Sequence, residues 1–161
     1  MTPKHRSLLE SPLGWLCIEA NDHDITRIEF VDSDAQYELN ESDLTRKAVA
    51  QLAQYFAGER QQFDLPLAPP GTDFQQRCWQ ALCDIPYGET RSYADQALAI
   101  AKPDAVRAVG SANGANPIAI VVPCHRVIGK NGKLTGYAGG LDKKAWLLAL
   151  ESKQPGLSGL S

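Results

Sequence analysis

Asn116-Pro117-Ile118-Ala119-Ile120-Val121-Val122-Pro123-Cys124-His125-Arg126 is the stretch from which the rest of this chain is best read. Asn116-Pro117 ends whatever helix precedes it. The apolar run 118–122, bounded by breakers, predicts a short buried strand. It delivers a thiol, an imidazole and a guanidinium to the mouth of the glycine-rich loop Gly129–Gly140. A thiol becomes a nucleophile when a nearby base or cation favours its thiolate. In an extended chain Cys124 and His125 point to opposite faces, so direct contact requires a turn there, and a water relay is the alternative. The plain reading of Cys124 is a packed core thiol. Its place where an apolar strand meets a glycine-rich loop favours chemistry instead.

Downstream, Asp142 is the expected cap of a last helix carrying Trp146, Leu147, Leu148 and Leu150. Glu151 shares a face with Leu147 and Leu148 and sits near the helix C-terminus, where the dipole disfavours negative charge. It is either a carboxylate with a partner, His125 being the candidate by chemistry, or an exposed side chain of a fraying end. The tail from Pro155 reads as frayed. Upstream, Thr72 or Asp73 caps a helix with Phe74, Cys78, Ala81 and Leu82 on one side, closed by Pro86-Tyr87-Gly88. Ser92 and Asp95 form a capping pair before a helix over 94–101, which Lys102-Pro103 stops. Asp104 then caps a helix from Ala105 to about Ala115. Two short helices joined by a tight turn predict a helix-turn-helix. The second is built from small residues, with Arg107 the one long side chain of its first two turns. Such a helix lets its backbone approach another surface closely, either a neighbouring helix or a DNA groove.

The first part of the chain has a different character. Trp15–Ile18 and Ile25–Phe30 read as strands joined by the turn-prone Asn21-Asp22-His23-Asp24. Ser42 caps a helix with Ala48, Val49, Leu52, Tyr55 and Phe56 on one face, ended by Gly58. Phe63–Leu67 is a candidate edge strand, since Pro66 cannot donate to a ladder. Ala68-Pro69-Pro70-Gly71 divides the chain into an N-terminal α/β domain, 1–70, a small sheet plus helix, and a mainly helical C-terminal domain, 71–161.

Charge changes sign at the same place. Residues 1–70 carry 6 basic and 12 acidic side chains, residues 71–161 carry 10 and 7, and the whole chain is −3. Between Lys102 and Lys144 there are 7 basic residues against Asp104 and Asp142. Phosphates respond to local potential over roughly 8–10 Å, so the second half admits a polyanion that the total charge would disfavour. A solvated basic face is the plainer reading of that count. With 161 residues, 43% hydrophobic and 22% charged, the chain is an ordinary globular one, able to bury a core without disulfide or metal support. No apolar run approaches the roughly 20 residues that span a bilayer, and Met1–Arg6 leads into no signal-peptide core, so the expectation is a cytoplasmic protein with no membrane partner. Cys17, Cys78, Cys83 and Cys124 read as reduced thiols, and neither they nor His5, His23 and His125 have metal-ligand spacing, so no metal site is expected.

Pro123-Cys124-His125-Arg126-Val127, preceded by Arg107-Ala108-Val109-Gly110 and Asn116-Pro117, resembles the methylated-DNA–protein-cysteine methyltransferases, also called O6-alkylguanine-DNA alkyltransferases. Gly136-Tyr137-Ala138-Gly139-Gly140 and Trp146-Leu147-Leu148 with Glu151 continue the match, which runs from about Phe74 to Glu151 and more weakly through Ser11-Pro12-Leu13-Gly14. The resemblance implies a protein that binds duplex DNA in the minor groove through its helix-turn-helix, flips the alkylated nucleotide out and takes the alkyl group onto Cys124. Flipping is needed because O6 of a stacked guanine cannot reach a buried thiol. It implies His125, an intervening water and Glu151 as the route for the thiol proton, and Asn116 as the organiser of the hinge around them. Arg107 becomes the finger that fills the gap in the duplex, flanked by Ala105, Ala108, Gly110 and Ser111 at the DNA. Tyr93 helps turn the target phosphate and bonds the flipped base. Tyr137, Gly136, Ala138, Val127 and Lys144 surround that base. Each molecule reacts once, without cofactor or metal, as a monomer; the reading leaves cooperative binding along DNA open, and O4-alkylthymine is a second candidate substrate.

Some positions depart from the family pattern. Ala138 stands where some members have serine, so the resemblance implies one hydrogen bond fewer to the base. Gly136 stands where some relatives have a larger residue, which implies a roomier pocket and broader alkyl tolerance. Val106 stands where alanine is common. Asn21 and Thr26 fall where some members carry zinc ligands. Two other readings stay open on the residues alone: a non-catalytic module that binds alkylated DNA with a structural cysteine, and a cysteine hydrolase using Cys124 and His125.

Overall fold

The computed structural model describes residues 4–137 and 139–153. Ala138 and the tail from Pro155, on which two of the readings above fall, lie outside the described residues. Two compact units are present. One takes the chain up to Pro70 together with Pro117–Ala119, and the other takes Gly71–Asn116 and the chain from Ile120 onward.

The first unit is an antiparallel meander of β1 (His5–Ser11), β2 (Gly14–Ala20) and β3 (Ile25–Val31), with helix α1 (Asp43–Phe56) packed on it. Strand β1 is not predicted by its own pattern, because Leu8-Leu9 interrupts the alternation. Pairing with β2 along its whole length, from His5 opposite Ala20 to Ser11 opposite Gly14, makes it a strand. The hairpin between them closes at Gly14, whose φ of 107° only glycine adopts readily, and the Ser11 hydroxyl donates to the Gly14 carbonyl at 2.7 Å. In α1 the Ser42 cap forms with Thr45 as its reciprocal partner, and Ala48, Leu52 and Tyr55 are buried.

Two expected strands shrink to single bridges. At Phe63–Leu67 the described pairing is Ile25 with Leu67, where Ile25 N donates to the Pro66 carbonyl and Ala68 N donates to Ile25 O, both at 2.9 Å. Proline contributes an acceptor and nothing else. The run 118–122 reaches the sheet by a single described bridge, Ile118 to Ile28, in which Ile28 N donates to Pro117 O at 3.0 Å and Ala119 N donates to Ile28 O at 2.9 Å. It cannot continue as a strand because Ile120 has φ of 71°, outside the extended region.

The second unit contains α2 (Asp73–Cys83), β4 (Arg91–Ser92), α3 (Tyr93–Ala99), α4 (Val106–Gly114), β5 (Val127–Ile128) and α5 (Leu141–Lys153), with β4 and β5 paired in parallel. Thr72 caps α2 with Gln75 in return, and Ser92 caps α3 with Asp95 in return. Helix α3 is shorter than expected. It ends in a left-handed turn in which Ala101, at φ 60°, lets Lys102 N donate to Ala97 O and Ala101 N to Leu98 O. The cap expected of Asp104 is not made. Ala105 N closes a turn onto Lys102 O, so Ala105 becomes the cap and makes no side-chain bond. Likewise α5 begins at Leu141, which puts Asp142 inside the first turn. There its charge still favours the helix dipole.

Helices α2, α3 and α4 pack on one another around Cys78, Trp79, Leu82, Ala97, Val109 and Ala112. A buried amide pair joins α3 to α4: Gln96 Nε2 donates to Asn113 Oδ1 at 2.9 Å and Asn113 Nδ2 to Gln96 Oε1 at 2.7 Å. Trp79 Nε1 donates to the Ala112 carbonyl at 2.8 Å. Among the described residues no helix is long and apolar enough to cross a membrane.

Candidate active site and nucleic-acid face

Two tight turns in succession shape the segment around Cys124. Proline restricts φ, and Pro123 sits at φ −84°, ψ 65°, an inverse γ-turn in which Cys124 N donates to Val122 O at 2.8 Å. Arg126 N then donates to Pro123 O at 3.0 Å, so Cys124–Arg126 form one turn of 3-10 helix. The extended geometry expected for Cys124 and His125 is therefore replaced by side chains fanning about a single turn. Asn116 Nδ2 donates to the same Val122 carbonyl at 2.8 Å and clamps the approach to this turn.

Helix α5 meets the turn with Lys144, Leu147 and Glu151 on its buried face, at the spacing that stacks side chains on one side of a helix. Glu151 is buried, not exposed at a fraying end. Its Oε2 lies 2.7 Å from His125 Nε2 and 3.1 Å from Arg126 Nη2, and its Oε1 accepts from Arg126 Nε at 2.8 Å. Burial pushes this carboxyl up. The hydrogen bonds and charges of His125 and Arg126 together outweigh burial and hold it at about 2. An ionised carboxylate only accepts, so Nε2 of His125 carries the proton of that bond. Burial pushes His125 below its ordinary value, against the pull of Glu151, so the ring is neutral and its lone pair is on Nδ1. That atom is buried and has no hydrogen-bond partner among the described residues.

The Cys124 residue is half-buried. Burial raises its thiol, while a hydrogen bond from Asn116 and the charge of Lys144 favour the thiolate. Lys144 is fully buried, with Nζ donating to Val127 O at 2.6 Å and Thr135 O at 2.7 Å. Its ammonium pins the loop after β5, and the Val127 side chain is buried in the core. Thr135 also meets Tyr93, hydroxyl to hydroxyl at 2.9 Å. The Tyr137 phenol is buried, which pushes its ionisation up, while Gly136 is exposed.

Arg107, Ala108 and Ser111 are exposed on α4, Ala105 and Gly110 are half-buried, and Val109, Ala112 and Asn113 point inward. A Cβ at Gly110 would stand 3.8 Å from the Tyr93 ring, so α4 runs close beside the start of α3. The residues that reading of the sequence missed are Arg126 as a partner of Glu151, the Ile85 carbonyl that anchors it, and Thr135. The long-range pairing of Arg126 leaves no local signal; the one hint available is that an arginine beside a buried histidine must find an anion if it too is buried.

Residues 73–153 match the family model described as 6-O-methylguanine DNA methyltransferase, DNA binding domain, and residues 4–69 match its ribonuclease-like domain. A methylated-DNA–protein-cysteine methyltransferase of Mycolicibacterium paratuberculosis is 53% identical over 151 residues, covering 90% of each chain. One from Methanosarcina barkeri is 50% identical over 149 residues, covering 89% of this chain and 94% of the relative. Among solved structures, Mycobacterium tuberculosis OGT in complex with DNA is 49% identical with a TM-score of 0.85, over 93% of this chain and 94% of that one.

Proposed function

The chain belongs to the 6-O-methylguanine DNA methyltransferase family, and on that premise we propose that it repairs duplex DNA by moving an alkyl group from O6 of guanine to the sulfur of Cys124. The thiol proton passes through a water to Nδ1 of His125, whose opposite nitrogen is held by Glu151. The sulfur attacks the alkyl carbon in line with the bond to O6, so the S–C bond forms as the C–O bond breaks. The departing guanine keeps the electron pair and takes a proton from the Tyr93 phenol, which regains one from solvent. The thioether product has no leaving group, so each molecule reacts once, and no step calls for a cofactor.

The helix-turn-helix of α3 and α4 carries the DNA. The outer face of α4 lies in the minor groove with Arg107 in the space left by the flipped nucleotide, and the small exposed side chains of Ala108 and Ser111 let the helix come close. The basic surplus of the second half makes binding weaken with salt.

The observation that most supports this reading is the buried Glu151–His125 bond on the turn that carries Cys124. The test is intact mass after incubation with duplex DNA containing O6-methylguanine. The expected product is one CH2 heavier, with the methyl mapped to Cys124 and guanine restored. An unmodified protein with a still reactive thiol refutes the reading, and full function of Cys124→Ser marks a module that only binds the lesion.

A further inference from the structure

Among the described residues Glu151 meets two basic side chains, His125 and Arg126, and they are not equivalent. Arg126 meets the carboxylate with two nitrogens, at 2.8 Å and 3.1 Å, and spends a third, Nη1, on the Ile85 carbonyl at 2.8 Å. Its guanidinium also lies over the Tyr87 ring, 5.6 Å from the centroid. The group is thus fixed from α5, from the segment after α2 and by an aromatic face. His125 makes one bond to the same carboxylate. A buried carboxylate requires one compensating positive charge. Guanidinium cannot surrender its proton, whereas imidazole can take one up or give it away.

We propose, resting on the transferase reading above, that Arg126 is a positioning residue: it is the resident counter-ion of Glu151, and by filling that role it leaves His125 uncharged, with Nδ1 able to accept the Cys124 proton. Around the imidazole and its carboxylate stand Lys144 of α5, Cys124 and Arg126 of the 3-10 turn, Tyr87 after α2 and Tyr137 of the loop. With Arg126 and Glu151 cancelling, a second proton on His125 would add an uncompensated charge in a buried site. Without Arg126, the same proton would neutralise Glu151, and the imidazole would lose the lone pair that catalysis needs.

The test follows methyl transfer from O6-methylguanine DNA against pH in wild type, Arg126→Gln and Arg126→Lys. In the Gln variant the acid limb moves up by about two pH units, to above about pH 7, so transfer falls roughly tenfold at pH 6.5 and about twofold or less at pH 9. The Lys variant keeps the charge and restores most of the profile. Independently of activity, imidazole nitrogen NMR of the unalkylated protein at pH 7 shows a neutral ring protonated at Nε2 in wild type and an imidazolium in the Gln variant. A loss uniform across pH, or an unmoved acid limb, overturns the proposal. So does a wild-type imidazolium at pH 7, which decides the matter even if the Gln variant does not fold. A wild-type protein that takes up no methyl refutes the transferase reading instead, and leaves the NMR result to judge Arg126.

Discussion

Glu151→Gln keeps the shape of a side chain and removes a buried charge, so its cost can be anticipated from two directions. The carboxyl is held at about 2 against an ordinary 4.5. At about 1.4 kcal/mol per unit, its ionised form contributes roughly 3 kcal/mol to the folded state at neutral pH. From the other side, stripping the partner from a buried ion such as Arg126 costs roughly 3–5 kcal/mol. The folded value lies below the unfolded one, so this stability is complete above about pH 4.5 and is lost as pH falls toward 2. At pH 3 the wild type should already have lost about 2 kcal/mol of it, while the glutamine variant has none to lose. Urea unfolding followed by tryptophan fluorescence measures both quantities. The expected result is a variant weaker by roughly 3–5 kcal/mol at pH 7, with the gap narrowing by about 2 kcal/mol at pH 3. A gap below about 1 kcal/mol at pH 7, or one independent of pH, would refute the picture of a charged Glu151 anchored by His125 and Arg126.

Three further outcomes test other parts of the molecule. Asn113→Ala breaks both bonds of the amide pair and leaves Gln96 Oε1 buried without that donor; the expected loss is about 1–3 kcal/mol in the same assay, and a loss under about 0.5 would mean the pair does not hold α3 to α4. Ala101→Gly relieves a side chain at φ 60° and should stabilise by roughly 0.5–1 kcal/mol, so a lower melting temperature would contradict the turn described after α3. Arg107→Ala, at an exposed position, should change stability by about 0.5 kcal/mol or less, yet slow repair of duplex DNA far more than reaction with free O6-alkylguanine. Equal losses on both substrates would remove Arg107 from the gap in the duplex.

Ser42, Thr72 and Ser92 are caps that can be read directly, because a cap and its return partner lie three residues apart and answer to local geometry. Asp104 and Asp142 carry the same signal and miss the cap position. In each case a neighbouring turn shifts the helix start by one or two residues, and nothing in the carboxylate records that shift. The apolar run before Pro123 has the composition of a strand, but the left-handed Ile120 breaks it, a conformation that a β-branched residue adopts only when its surroundings impose it.

At the site the same division appears. Cys124, His125 and Arg126 are neighbours in the chain, so their chemistry was visible as a motif, and the spacing of Leu147 and Glu151 put the carboxylate on a packed face of its helix. That the carboxylate is buried against His125 instead of exposed at a fraying end, and that the Arg126 guanidinium shares it, depended on α5 returning to a turn 25 residues earlier and on the Ile85 carbonyl lying 41 residues before Arg126. Short-range order follows from steric preference and hydrogen bonds within a few residues. The protonation of a buried group follows from every charge and dipole that folding brings within a few ångströms, and those come from parts of the chain that share no local pattern.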